Sequence, residues 1–211
     1  MGSCCESHAP TIDGNTTRAF RRVLVVVLVI NLAMFVVEIS AGFAAGSASL
    51  QADALDFLGD SASYAISFCV LGMGWRWRAG AALLKGVAMG LFGIFVIANA
   101  AWHAHAGTLP GAMTMSAVGT VAFIANVACA FLLLRFRSGD ANMQSVWLCT
   151  RNDAISNLAV IAAGAGVFVS QSGWPDILVA AIMASLALSA SWRVIGQARR
   201  ELRAGEPAII S

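Results

Sequence analysis

Apolar residues dominate this chain in six long segments, which are separated by short polar connectors. Each segment is close to the roughly 20 residues that an α-helix needs to cross the hydrocarbon core of a bilayer. The pattern predicts an all-α, polytopic membrane protein with six transmembrane helices. The six segments lie near residues 22–45, 50–74, 80–104, 112–135, 144–170 and 174–196.

The predicted domain organisation is simple. We expect a flexible cytoplasmic N-terminal tail over 1–19, a six-helix transmembrane domain over 20–197 and a short cytoplasmic C-terminal tail over 198–211. The N-terminal tail contains three soft metal donors, which are Cys4, Cys5 and His8. Three donors are too few for a closed four-ligand site. Transient binding of a soft metal is one interpretation of this cluster, and its role stays open.

Charge is scarce, and its distribution predicts the orientation. Only 11% of the 211 residues are charged, against about 25% in a soluble domain, and a net charge of +2 suggests no nucleic-acid partner. Every Lys and Arg except Arg151 lies before segment 1, near the connectors 2–3 and 4–5, or at the end of segment 6. The positive-inside rule then predicts that both termini are cytoplasmic, and we expect the plasma (inner) membrane as the location.

Segment 2 contains three acids inside an otherwise apolar run: Asp53, Asp56 and Asp60. Spacings of three and four residues place all three carboxyl groups on one helix face. A carboxylate at the bilayer centre costs about 2.5–3.5 kcal/mol even on the lenient insertion scales. A bound cation, protons or an aqueous pathway is therefore expected beside this face.

Segment 5 carries a second pair of donors, Cys149 and Asp153, four residues apart. With Asp56 and Asp60 they supply four ligands from two helices, a number that suits tetrahedral Zn(II) or Cd(II). Metal binding needs deprotonated ligands, so metal release and proton uptake would be coupled. The alternative is that these groups are neutral hydrogen-bonding side chains between helices.

Several other polar residues lie within the segments. Glu38 shares a face of segment 1 with Asn31, seven residues away, and we expect Glu38 and Asp53 to line the pathway or support the ligands. Asparagines at 31, 99, 126 and 157 are expected to bond between helices, with Asn157 close to the site. His103 and His105 lie at the end of segment 3 on the external side. They could receive outgoing metal, or they could simply be two solvated residues at the membrane interface.

Two stretches, residues 31–60 and 124–164, resemble the cation diffusion facilitator family of metal/proton antiporters. The first contains the run SASLQADALDFLGD and the second contains LCTRNDAISN. The resemblance places Asp56 and Asp60 on the two ligand positions of helix 2 and Asp153 on the second ligand position of helix 5. Asp53 matches a frequent family acid that is not normally a ligand. The resemblance covers essentially all of residues 20–197.

The chain departs from the family pattern in two places. Cys149 stands where the family usually has His, which favours softer ions such as Cd(II) or shifts the affinity for zinc. The sequence also ends shortly after segment 6, so it resembles the members that lack a cytoplasmic C-terminal domain. The resemblance implies efflux of divalent transition metal, zinc first and cadmium second, in exchange for protons by a homodimer in the lipid bilayer.

Other functions are less consistent with the residues. A membrane metal-binding or partner-regulating protein of the same fold, which does not transport, is the alternative that stays open. A membrane-embedded enzyme such as a metalloprotease is not expected, because the chain has no HExxH pair. The sequence has no Walker loop and no dinucleotide fingerprint, so it does not support ATP-driven transport by this chain alone. We expect no catalytic residues and no organic cofactor.

Overall fold

The computed structural model describes residues 14–69, 75–134 and 141–204. Within these ranges the side chains of 14–18, 66, 67, 69, 75, 78 and 141–149 are not described. The described residues form helices, with the following bounds: α1 Gly14–Ala45, α2 Ala48–Cys69, α3 Trp75–Ala106, α4 Ala112–Leu133, α5 Ala141–Ser170 and α6 Trp174–Ala204.

The helix order confirms the all-α fold with six helices that the apolar pattern predicts. Four of the predicted boundaries, at residues 45, 112, 170 and 174, coincide with observed helix ends. Helices α1 and α6 are longer than segments 1 and 6, because they extend into the polar sequence at either end of the chain. Three helices end at a residue in the left-handed conformation: Gly46 has φ 62° after α1, Gly107 has φ 64° after α3, and Gln171 has φ 51° after α5.

The helices pack as three close pairs: α1 with α2, α3 with α6 and α4 with α5. Helix α2 also contacts α3, α5 and α6, so it lies at the centre of the bundle. Its first eight residues, 48–55, are all buried. The helix that carries the three acids is therefore surrounded by other helices.

Five of the six helices are long and apolar enough to cross a membrane by length and composition. Helix α2 falls outside this class because Asp53, Asp56 and Asp60 all lie within any 18-residue window of it. The outward faces of the surrounding helices expose large apolar side chains, such as Val29, Leu91 and Phe131. A multi-pass membrane protein fits these faces, and the orientation of the termini remains a prediction.

Candidate functional site

The three acids of α2 differ in their surroundings, although they share one face of the helix. Asp53 and Asp60 are buried, whereas Asp56, which lies between them, is half-buried. Seven residues separate Asp53 from Asp60, which corresponds to about 10 Å along the helix axis. The acidic face therefore meets different partners at its two ends.

At the C-terminal end of this face, Asp60 contacts Asp153 of α5. Their carboxyl groups lie within hydrogen-bonding reach of each other. The carboxyl group of Asp56 is also close enough to that of Asp153 for their charges to interact. Asp60 is buried and Asp153 is half-buried, and two facing carboxyl groups that are shielded from water favour a shared proton or a bound cation over two bare negative charges.

Tyr64 fixes the Asp60 side chain. The Tyr64 hydroxyl donates to Asp60 Oδ2 at 2.6 Å, and it lies 3.1 Å from Thr150 Oγ1 of α5. Sequence reasoning missed this residue, although two signals were present: Tyr64 is the only tyrosine of the chain, and it follows Asp60 by four residues, on the same helix face.

Lys85 of α3 brings a positive charge to the same region. It is buried, donates to Ser63 Oγ of α2 and lies within electrostatic reach of Asp60. From the sequence, Lys85 counted only as one of the basic residues near the connector 2–3. The structure places it inside α3, and the apolar run AGAALL, which separates it from Arg78, is the signal that could have indicated this.

At the N-terminal end of the acidic face, a second set of polar side chains connects α1, α2, α4 and α5. Asn126 Nδ2 donates to Asn157 Oδ1 at 2.9 Å, and Asn157 Nδ2 donates to Asp53 Oδ2 at 2.7 Å. The Asp53 carboxyl group in turn lies within hydrogen-bonding reach of Glu38. Glu38, Asp53 and Asn157 thus form one connected polar group, and their role in lining the pathway or supporting the ligands stays a prediction.

The predicted interhelical role of the asparagines is confirmed at three positions and wrong at one. Besides Asn126 and Asn157, Asn99 of α3 donates to Gln51 Oε1 of α2 at 2.9 Å. Asn31 instead donates to the Val27 carbonyl oxygen of its own helix at 2.8 Å. A free carbonyl four residues earlier offers an asparagine a local partner, and this competes with a contact to another helix.

Asp176 of α6 holds the beginning of α2 in place. Its carboxylate accepts from the backbone N–H groups of Ala48 and Ser49 at 2.8 and 3.0 Å, and from the hydroxyl groups of Ser47 and Ser49. An acid at a helix N-terminus satisfies backbone donors that have no partner within the helix. Here the acid comes from another helix, so it fixes α2 relative to α6.

The histidines lie apart from the acids. His103 is half-buried and its Nδ1 lies 2.5 Å from Thr108 Oγ1, beside an open pocket of about 170 Å³ that Gln171 and Trp174 also line. His105 is exposed. Both residues belong to the end of α3 that the topology prediction places outside the cell.

The four predicted ligands are only partly described. Asp60 and Asp153 face each other at the contact of α2 with α5, and Asp56 lies about one helical turn before Asp60, but the Cys149 side chain lies outside the described residues. So does the cluster of Cys4, Cys5 and His8. Within the described part of the chain, no group of three or more His, Cys, Asp or Glu side chains is arranged closely enough to hold a metal ion.

Comparison with known protein families agrees with this architecture. The family model described as the cation efflux transmembrane domain matches residues 24–202, a range that includes the acids of α2 and Asp153. No curated protein matches the chain. The chain therefore belongs to the cation efflux family, whose members are membrane transporters of metal cations and not enzymes.

Proposed function

We propose that this protein exports a divalent transition metal, zinc or cadmium, from the cytoplasm in exchange for protons. In this proposal Asp56, Asp60, Cys149 and Asp153 bind the transported ion. The protein acts as a homodimer, as the resemblance in sequence implies, and resides in the plasma (inner) membrane. The family match supports metal efflux as the general activity.

One observation carries the proposal: Asp60 and Asp153 face each other across the contact of α2 with α5. Both residues lie in the helical bundle of a membrane protein, where a pair of ionised carboxylates without a counter-charge is strongly unfavourable. The pair is stable when a proton or a metal ion lies between the two groups. Because the same oxygens accept either one, arrival of metal displaces protons and departure of metal restores them.

The neighbours of this pair are suited to a site that empties and refills. The Tyr64 hydroxyl donates to Asp60, which holds one carboxylate oxygen in place. Lys85 supplies a positive charge that partly offsets the acids when no metal is bound. A second function, metal binding without transport, would use the same residues, so it is distinguished by flux alone.

The test is transport in proteoliposomes that contain only this chain, with and without an imposed pH gradient. We expect flux of zinc or cadmium that is driven by the gradient. Asp60→Asn and Asp153→Asn should each abolish this flux, since losing a ligand costs more than the roughly 10–100-fold that loss of a supporting residue costs. Their insertion in the membrane should be normal.

The matched control is Glu201→Gln, which makes the same change of acid to amide near the end of α6, where Gln197 is the partner of Glu201. This variant should transport at the rate of the unmodified protein. Metal binding without flux in the unmodified protein would favour the alternative of a binding protein. Normal flux in a folded Asp60→Asn or Asp153→Asn variant would rule out the proposed ligands.

A further inference from the structure

We propose that Glu38 and Asp53 share one proton in a carboxyl–carboxylate hydrogen bond, at a site separate from the metal ligands. Its part in exchange rests on the proposed function above, whereas the presence of the proton does not. The pair links α1 to α2, while the proposed ligands link α2 to α5.

Unpaired acceptor atoms are the first evidence. Both carboxyl oxygens of Glu38 and Oδ1 of Asp53 are fully buried and have no hydrogen-bond donor among the described residues. Each residue is fully shielded from solvent, and the two carboxyl groups lie within hydrogen-bonding reach of each other. Buried acceptors without donors are strongly unfavourable. A single proton converts one of them into a donor and gives the facing oxygen a partner.

The asparagines determine where the negative charge lies. Asn126 donates to Asn157, which fixes the Asn157 amide so that its nitrogen faces Asp53. A hydrogen bond donated to a carboxylate stabilises its charge. Asp53 therefore carries the charge, and the proton resides on Glu38, from which it is donated to Asp53 Oδ1.

The surrounding charges explain how metal could affect this proton. Glu38 lies within electrostatic reach of Asp56, and Asp53 lies within electrostatic reach of Asp153. A divalent ion at Asp56 and Asp153 would bring positive charge near the pair and favour release of the proton. The other charged groups of the packed helices are more distant partners: Asp60 on α2, Lys85 of α3 beside Asp60, and Asp176 of α6 at the beginning of α2.

Infrared spectroscopy of the purified, metal-free protein tests for the proton directly. Glu38→Gln preserves the shape of the side chain, and its amide N–H can donate to Asp53 Oδ1 in place of the proton. We expect this variant to lose one carbonyl band of a protonated carboxyl group, while Glu201→Gln keeps every such band. If Glu38→Gln keeps every band, the proposal is overturned. If Glu38→Gln misfolds, Asp53→Asn is measured in its place.

Calorimetric titration with zinc alone tests the coupling. In buffers of different ionisation enthalpy, Glu38→Gln should release about one proton fewer per bound zinc than the unmodified protein, with the same number of zinc ions bound. A lower zinc stoichiometry would mean that the pair binds metal, and this would overturn the proton assignment. Loss of the infrared band in a protein that shows no flux would support the proton site and overturn the exchange function alone.

Discussion

Single residues distinguish the two ends of the acidic face of α2. Asp60 receives a hydrogen bond from the Tyr64 hydroxyl and lies near the Lys85 ammonium group. Asp53 receives its hydrogen bond from the Asn157 amide. Both acids face a second carboxyl group, Asp153 for Asp60 and Glu38 for Asp53. The Lys85 charge can offset the acids near Asp60 when no metal is bound, whereas the Asn157 amide brings no charge to Asp53. The same residue type thus has two chemical settings on one helix face.

Cys149 is the residue at which a substitution should change the choice of metal. A thiolate is a softer ligand than imidazole, so Cys149→His should lower the preference for Cd(II) over Zn(II) by about tenfold, which corresponds to roughly 1.4 kcal/mol of differential binding. Competition flux assays in proteoliposomes measure this ratio for the unmodified protein, Cys149→His and Cys149→Ser. Identical selectivity in all three proteins would show that the thiol is not a ligand.

The sequence predicted the acids of the site better than it predicted their partners. Spacing alone placed Asp53, Asp56 and Asp60 on one face, because helical periodicity is a local property. Whether Asp53 meets Glu38 and Asp60 meets Asp153 depends on the axial offset between helices, which no local pattern contains. Lys85 was missed for the same reason, since its contact with Ser63 joins α3 to α2, whereas the contact of Tyr64 with Asp60 is local and its spacing of four residues could have indicated it.

At the level of helices, close approach depends on glycine. Gly86, Gly90 and Gly93 of α3 form a row against α6, and the Ser191 hydroxyl of α6 donates to the Gly86 carbonyl oxygen at 2.6 Å. Small residues of this kind allow helix backbones to approach each other in membranes. The apolar pattern predicted both helices and the beginning of α6 at residue 174, but it did not indicate that α3 pairs with α6. The pattern also did not indicate the contact of Asp176 with α2. This residue lies in the first turn of α6 and connects the beginning of α6 to the beginning of α2.

Substitution of Gly86 tests the contact of α3 with α6. A Cβ atom at this position would lie 2.9 Å from Ile195 Cγ1 and 3.4 Å from Ile195 N, so the helices must separate slightly. We expect Gly86→Ala to destabilise the protein by about 1–3 kcal/mol, measured by thermal unfolding in detergent. Gly80→Ala is the matched control in the same helix, because a Cβ there meets nothing within 4 Å. Equal stability of the two variants would contradict a close contact at Gly86.

For the whole molecule, the central question is how α2 relates to the membrane. Five helices qualify as spans by composition, and α2 does not, because of its three acids. The other helices nevertheless enclose it, and its acids contact polar groups of those helices. An acidic helix can cross a bilayer when its carboxyl groups face the interior of a bundle. The composition of α2 is therefore explained by its central position, which is also where transport takes place under the proposed function.

The location of the two termini tests this relation, because it depends on the number of spans. Six spans place both termini on one side, and the flanking arginines predict the cytoplasmic side; five spans, with α2 outside the bilayer, would place the termini on opposite sides. We expect a fluorescent protein that matures only in the cytoplasm to fluoresce when fused at either terminus. The control is an alkaline phosphatase that is active only outside the cytoplasm, inserted in the connector Gly107–Gly111 between α3 and α4, which should be active. Fluorescence of the fusion at one terminus alone would show that the termini lie on opposite sides and that α2 fails to cross the membrane. The proposal of a central transport helix would then have to be abandoned.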